Sequence, residues 1–351
     1  MTAEKSEKMI KLLDVFGDIT RWDAYVKTHS KATVYHLSAW GRAVSRSMGH
    51  AIYYLYVEEN DQIKGVLPLI HVKSRLFGNS LISVGFATNG GPLFDDEAAL
   101  ALLDQEAGKL SKELDVDYLE CRNTEAVHKD WPSKSETYST FRKTLFEDHE
   151  ENLKAIPRKQ RAMVRKGIKF GLKAEIDETI DRLYPLYAES LRNLGSPVFP
   201  RKLFHNLKLE YGDDCEILTV CDDQGVAVSS VMSFYFRDEV IPYYGGGNID
   251  ARRLAANDFM YWSVMERAVN SRNSTIFDFG RSKNGTGAFN FKKNWGFEPV
   301  ALHYEFILKE GETLPDINPL NPKYQLMIKT WKKLPLALSN FMGPFISRSL
   351  G

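Results

Sequence analysis

Residues 215–247 read CEILTVCDDQGVAVSSVMSFYFRDEVIPYYGGG. The runs 215–223, 226–236 and 239–247 are rich in β-branched and aromatic residues, and Asp223-Gln224-Gly225 is turn chemistry, so three successive strands are predicted. The third run ends in Gly245, Gly246 and Gly247. A helix-like stretch follows over 252–272, then STIFDFGR, a strand ending at Arg281. Working outward, the same order occurs earlier. YYLYVEE (53–59), IKGVLPLIHVK (63–73) and LISVGF (81–86) read as strands, with an Asn60-Asp61 turn between the first two. Gly90-Gly91-Pro92 and an apolar 3-4 pattern over 95–114 come next, then VDYLECR (116–122). Helical segments precede each unit, at 19–29 and 37–48 and at 180–194 and 202–211. Strand, turn, strand, strand, glycines, helix, strand thus occurs twice, which predicts an α/β (α+β) chain of two similar domains. The segment 138–145 reads as the last strand of the first unit.

The chain has 351 residues, with 46 Lys+Arg against 46 Asp+Glu. Zero net charge argues against a general nucleic-acid coat, though it can conceal local basic patches. Cys121, Cys215 and Cys221 have no C-x-x-C spacing and read as buried thiols of a reducing compartment. The N-terminal stretch MTAEKSEKMIKLLDVFGD has no apolar core of signal length, and no run approaches a membrane span. The expected location is cytoplasmic. The eight histidines show no metal-ligand spacing, and there is no G-x-S-x-G elbow, P-loop or dinucleotide fingerprint. No metal and no tightly bound cofactor is expected.

Concentrated charge stands out at 156–173, IPRKQRAMVRKGIKFGLK. On a helix, Arg158, Lys159, Arg161, Arg165, Lys166, Lys169 and Lys173 fall within about half the circumference. Ile156, Met163, Val164 and Phe170 take the other half, Pro157 suits the first turn and Gly171 the C-terminal cap. No acidic residue is interleaved to make i,i+4 pairs, so the face reads as an anion site for nucleotide phosphate, a tRNA backbone or an acidic lipid surface. Two further motifs suggest a ligand pocket. In YYGGGN (243–248), Tyr243 and the three glycines would let a backbone approach a ligand, ahead of a helix N-terminus that includes Asn257. In FDFGRSKNGTGAFNFKKNWGF (277–297), Arg281, Lys283, Lys292 and Lys293 bring cations, and Phe289, Phe291, Trp295 and Phe297 bring aromatic walls.

The tandem units, the basic helix and the F-K-x-x-W-G run at Phe291, Lys292, Trp295 and Gly296 resemble the FemAB family. More specifically, VKSRLFGNSL (72–81), AIPRKQRAMVRKGIK, LGSPVFP, YYGGG, LAANDFMYW, FDFGRSK and FKKNWGFEP resemble FemAB-like proteins associated with exosortase/PEP-CTERM systems, over about residues 35–350. The resemblance implies two tandem GNAT-like acyl-N-acyltransferase domains, each a mixed twisted sheet flanked by helices, at 1–147 and 148–315, with a helical extension at 316–351 packing on them. It implies transfer of an activated acyl group onto an amine of an envelope or exopolysaccharide precursor. It also implies that Lys292 stabilises charge developing on the acyl carbonyl or a neighbouring phosphate. A fixed cation there favours the transition state over the substrate. Asp278 and Tyr244 are the candidates for the base. Phe291, Arg281, Lys283, Trp295, Tyr243, Gly245–Gly247, Asn257, Arg158, Arg161, Arg165 and Lys166 are expected to bind substrate.

Two departures bear on the donor. Coenzyme-A-binding domains of this kind carry a glycine where this chain has Ala255, and the paired-helix insertion of some tRNA-using members is represented only by the basic helix. Aminoacyl-tRNA, acyl-CoA and an acyl carrier protein stay open as co-substrates, and the acceptor is read as an anionic nucleotide-, sugar- or lipid-linked amine. A non-catalytic module of envelope-polymer assembly is the reading from another class. Finally, 318–351 is strongly apolar, with Lys329, Lys332 and Lys333 clustered. Packing across the domains and a peripheral contact with the inner membrane are its two readings.

Overall fold

A computed structural model describes residues 7–74, 77–315 and 322–351. Arg75 and Leu76 of the quoted 72–81 motif, the first six residues and 316–321 of the tail lie outside the described residues. The chain forms two compact units, one of 1–135, 301–316 and 349–351 and the other of 136–300 and 317–348.

The first unit starts with β1 (Met9–Leu13), α1 (Thr20–Thr28), α2 (Ser38–Met48), β2 (Ala51–Glu59), β3 (Gln62–Ser74), β4 (Gly78–Ser83), β5 (Leu93–Phe94), α3 (Glu97–Glu113), β6 (Tyr118–Asn123) and β7 (Ser133–Lys134). β2, β3 and β4 pair antiparallel in sequence order, and β4 then pairs parallel with β6 across the α3 crossover. Leu55, Leu67, Leu69, Leu81 and Leu119 pack beneath Ala99, Leu103 and Ala107, the inner stripe of α3. Asp96 caps α3 by accepting from the Ala99 amide.

The second unit repeats the plan. It comprises β8 (Tyr138–Thr144), α4 (His149–Ala155), α5 (Arg158–Lys169), β9 (Lys173–Asp177), α6 (Leu183–Leu194), α7 (Arg201–Tyr211), β10 (Cys215–Cys221), β11 (Ala227–Phe236), β12 (Glu239–Gly247), α8 (Ala251–Leu254), α9 (Ala256–Arg272), β13 (Ile276–Asp278), β14 (Ser282–Lys283), α10 (Gly287–Asn294) and β15 (Pro299–Ala301). β10, β11 and β12 pair antiparallel, and β12 pairs parallel with β13 across α9. The chain is therefore mixed α/β with two mixed sheets flanked by helices, the duplication expected from the repeat and the GNAT-like architecture implied by the resemblance. β16 (His303–Leu308) returns to the first unit, and α11 (Pro322–Trp331) and α12 (Leu336–Ser347) end the second. No helix among the described residues is long and apolar enough to cross a membrane. All three cysteines are buried free thiols.

Two expectations are corrected. The segment 138–145 does not close the first sheet: β8 pairs with β13 and β14 of the second, and the strand beside β6 is β16, from about 180 residues further on. Nearness in sequence favoured the first sheet, but either strand satisfies the open edge beside a parallel pair. The helix predicted over 252–272 is also broken, because Ala255 takes a left-handed conformation (φ 58°) between α8 and α9.

Candidate active site

In the second sheet the parallel pairing of β12 with β13 consists of Glu239 with Ile276 and Val240 with Phe277. Beyond it the strands part company. β12 continues on β11 as far as Gly247 opposite Ser229, while the chain after Asp278 follows β8. Phe279 N donates to Phe141 O at 2.8 Å, and Ser282 and Lys283 pair with Ser139 and Tyr138. The sheet thus forks between Gly245–Gly247 on one side and Gly280–Lys283 on the other. On the β12 side, Pro242 lacks an N–H, and the register shifts so that Met232 faces Tyr244 and Ser233 faces Pro242, leaving Tyr243 as the bulged residue.

At the corresponding step of the first unit the chain stays hydrogen-bonded to β6. There Gly90 N donates to Arg122 O at 2.8 Å, and a methyl group added at Gly91 would lie 1.6 Å from Asn123 Oδ1. The Asn123 side chain fills that place.

Asp278 and Lys292 meet at the fork in the second unit. Buried Asp278 accepts from Gly280 N at 2.7 Å and from Thr140 Oγ1 at 3.1 Å, and its other oxygen lies 3.8 Å from Arg142 Nε. Lys292 reaches back from α10 and donates to Gly280 O at 2.9 Å and Arg281 O at 3.0 Å. Gly280 is therefore held at both ends of its peptide, at φ 67°, where glycine is favoured. The Lys292 ammonium lies 5.5 Å from the Phe141 ring centroid and 5.9 Å from that of Phe279. Burial pushes Lys292 down to about 7 against the attraction of Asp278, and burial raises Asp278 against its hydrogen bonds and Arg142. Arg281 stacks on Tyr138 with 4.5 Å to the ring centroid, and Lys283 is half-buried beside it.

Other expected site residues sit elsewhere than their sequence motif suggested. Tyr244 is buried among Tyr243, Phe204, Tyr187 and Phe199, its hydroxyl has no hydrogen-bond partner, and burial holds the phenol well above its ordinary range. It has no contact with solvent through which to serve as a base. Trp295 is fully buried and donates to Asp258 Oδ1 at 3.1 Å, so it belongs to the core rather than to a ligand wall. Phe291 is half-buried on the same aromatic core, with Tyr261, Phe279 and Trp295 about it. None of Gly245–Gly247 has a positive φ. A methyl at Gly246 would lie 2.8 Å from Tyr187 Cα and one at Gly247 3.0 Å from Val228 O, so these two glycines admit close packing of helix and strand. Asn257 is half-buried, and its Oδ1 is buried without a hydrogen bond.

The basic helix forms as α5, with Pro157 as its N-cap and Gly171 at φ 71° just past its end. Its buried stripe is narrower than predicted: Gln160, Val164 and Gly167. A methyl on Gly167 would lie 2.8 Å from Phe259 Cβ, so α5 lies tight on α9. Met163 is only half-buried, and Phe170 is exposed. Arg158, Lys159, Arg165, Lys166 and Lys169 are exposed and Arg161 half-exposed. Among the described residues, none of the six has a carboxylate within ion-pair distance. Gly296 packs on Pro157, with 3.1 Å from a methyl there to Cδ, which sets the first turn of α5 against the end of the Lys292 helix.

Sequence reasoning missed Asp258. Its buried carboxylate accepts from Gln160 Nε2 at 2.8 Å as well as from Trp295, tying α5, α9 and the end of α10 together. The available signals were an acidic residue inside the apolar run LAANDFMYW and the one uncharged amide on the basic helix.

Residues 152–293 match the family described as an acetyltransferase (GNAT) domain. This stretch is an acetyltransferase-type domain. It runs from α4 into α10, and on that match the chain is an enzyme of the acyltransferase class. Among solved structures, FemX is similar over 92% of this chain and 100% of its own, at 17% identity and TM-score 0.67. L-PGS from Bacillus licheniformis is similar over 91% and 98%, at 12% identity and TM-score 0.57. A tandem GNAT protein of the clavulanic acid biosynthesis pathway is similar over 86% and 98%, at 10% identity and TM-score 0.55. At these identities the likeness is one of fold. No curated protein sequence matches the chain.

Proposed function

We propose that the chain is an N-acyltransferase that moves an aminoacyl or similar activated acyl group from tRNA to a primary amine, with the reaction at the fork of the second sheet. The observation that carries this reading is the placement of Lys292 by two backbone carbonyls at the fork where β12 and β13 part. The amine nitrogen attacks the acyl carbonyl, the ester C–O bond of the donor breaks, and the amine proton leaves by solvent or with the departing hydroxyl. Two Lys292 protons are committed to Gly280 and Arg281. The third, present in the charged form, is free for the developing oxyanion. Asp278 is a positioning residue: it orders Gly280 and holds positive charge on Lys292. Arg281, Lys283 and Tyr243 line the two arms of the fork as substrate contacts.

Support for tRNA comes from α5, whose exposed cations have no protein carboxylates to satisfy them. Acyl-CoA is the second reading, favoured by the match of 152–293 to an acetyltransferase domain. Against it stand the methyl of Ala255 where α9 begins and the Asp258 carboxylate in its first turn, both unfavourable to a pyrophosphate. The resemblance to the exosortase-associated branch supports an envelope or exopolysaccharide precursor as acceptor. Binding of charged tRNA at physiological salt, with acyl-CoA as competitor, tests the donor. Binding that acyl-CoA does not displace is expected; displacement moves the chain to the second reading. A non-catalytic module would bind and show no turnover that depends on Lys292.

A further inference from the structure

α12 is built inside out. Ser339, Gly343 and Ser347 are buried, whereas Leu338, Phe341, Met342 and Phe345 are exposed. Those four fall within an arc of about 100° on the helix, opposite the small residues. The inner stripe suits the contact it makes. A methyl on Gly343 would lie 2.9 Å from Val198 N, and Ser347 Oγ donates to Val198 O at 3.0 Å. The large side chains are left outside, with Phe341 70% and Phe345 65% exposed and their ring centroids 5.8 Å apart. α11 adds exposed Leu326 and Met327. A helix facing water on this side would carry its polar residues there, so the outward face is matched to a less polar medium.

The charge on the same segment says which medium. From 317 to 351 there are Lys323, Lys329, Lys332, Lys333 and Arg348, and no Asp or Glu. Lys329, Lys332, Lys333 and Arg348 are exposed, the three lysines at the junction of α11 and α12. Apolar side chains flanked by cations of one sign complement an anionic bilayer, whose headgroups take the cations while the rings enter the acyl boundary. A second copy would bring cations against cations. We propose that the outward face of α12, with the end of α11, docks this protein on an anionic lipid surface, lying in the interface without crossing it. This is independent of the donor and of the chemistry at Lys292.

Co-sedimentation of the full chain with vesicles tests it. Vesicles of phosphatidylglycerol and phosphatidylcholine in equal parts should retain the protein, and phosphatidylcholine alone should retain little. The double variant Phe341→Ser, Phe345→Ser should lower partitioning at least about tenfold with an unchanged thermal midpoint, since both rings are exposed. Replacing Lys329, Lys332 and Lys333 by Gln should cost about a hundredfold on the anionic vesicles, from about 1 kcal/mol per cation. Ile249→Ser, which removes another exposed apolar side chain, should change nothing. Equal retention on both vesicles, or full retention of the Phe341→Ser, Phe345→Ser protein, would overturn the proposal. So would a wild-type dimer in light scattering that those two changes dissociate while neither protein binds vesicles, because the face would then be covered by a second copy.

Discussion

Lys292 is held by its contacts in a place that disfavours its own charge. Its folded value of about 7 lies below the ordinary 10.5 because burial outweighs the attraction of Asp278. Between those values the folded state binds fewer protons than the unfolded one, so this group makes stability rise with pH across that window. Lys292→Met lacks the effect. The unfolding free energy of the wild type relative to the variant should therefore grow from about pH 7 to about 10.5, as urea melts at several pH values would show. If the charged form stabilises the oxyanion, kcat/KM should fall as pH rises through about 7. Asp278→Asn keeps an acceptor for Gly280 but loses the negative charge that supports the ammonium. It should retain measurable turnover and move that descending limb to lower pH, whereas an unmoved limb would separate the two residues. At Ala255, opposing effects nearly cancel in stability. Glycine there relieves about 1–2 kcal/mol of left-handed strain, and it loses a buried methyl worth about 0.8 kcal/mol and gains unfolded-state freedom worth about 0.5–1 kcal/mol. The Ala255→Gly midpoint should thus hardly move, while acyl-CoA becomes a stronger competitor because its methyl obstacle is gone.

At the scale of the element, α5 is the clearest case of a feature legible in sequence. A run of cations without interleaved acids fixed both its helical face and its exposure, and the capping residues fell within a residue of their predicted places. Its inner side was less legible. Apolarity pointed to Met163 and Phe170, but the contact with α9 selects for close approach, and so for Gly167, and for the Gln160 bond to Asp258. The same limit explains the glycines of β12 and the ring of Trp295. Sequence shows that such residues are unusual, and only packing shows that their use is structural. If α5 contacts phosphates, Arg165→Gln with Lys166→Gln should lower tRNA affinity and flatten the slope of log affinity against log salt by about 1.4–1.8, checked by filter binding across a salt series. Loss of affinity with no change in slope would mean that these side chains do not touch the backbone of the nucleic acid.

For the whole molecule, the duplication was readable because each sheet is made mostly of neighbours in sequence: β2-β3-β4 and β10-β11-β12, each followed by a crossover helix. The strand beside each parallel pair was not: β8 opens the second unit's run and β16 returns from beyond it, and neither carries a local signal of its partner. The consequence is testable. A fragment of 148–315 lacks β8, leaving β13 without its antiparallel neighbour and the core without Phe141, so it should melt without cooperativity in circular dichroism. A fragment of 136–301 keeps every strand of the second sheet and should retain a more cooperative transition. The role of Lys292 is tested most directly by single-turnover transfer of a labelled aminoacyl group from charged tRNA to a small primary amine, by wild type and Lys292→Met. Transfer by the wild type is expected, with a loss of about 100- to 1,000-fold in the variant at unchanged tRNA affinity. Equal rates for the two proteins would remove Lys292 from the reaction.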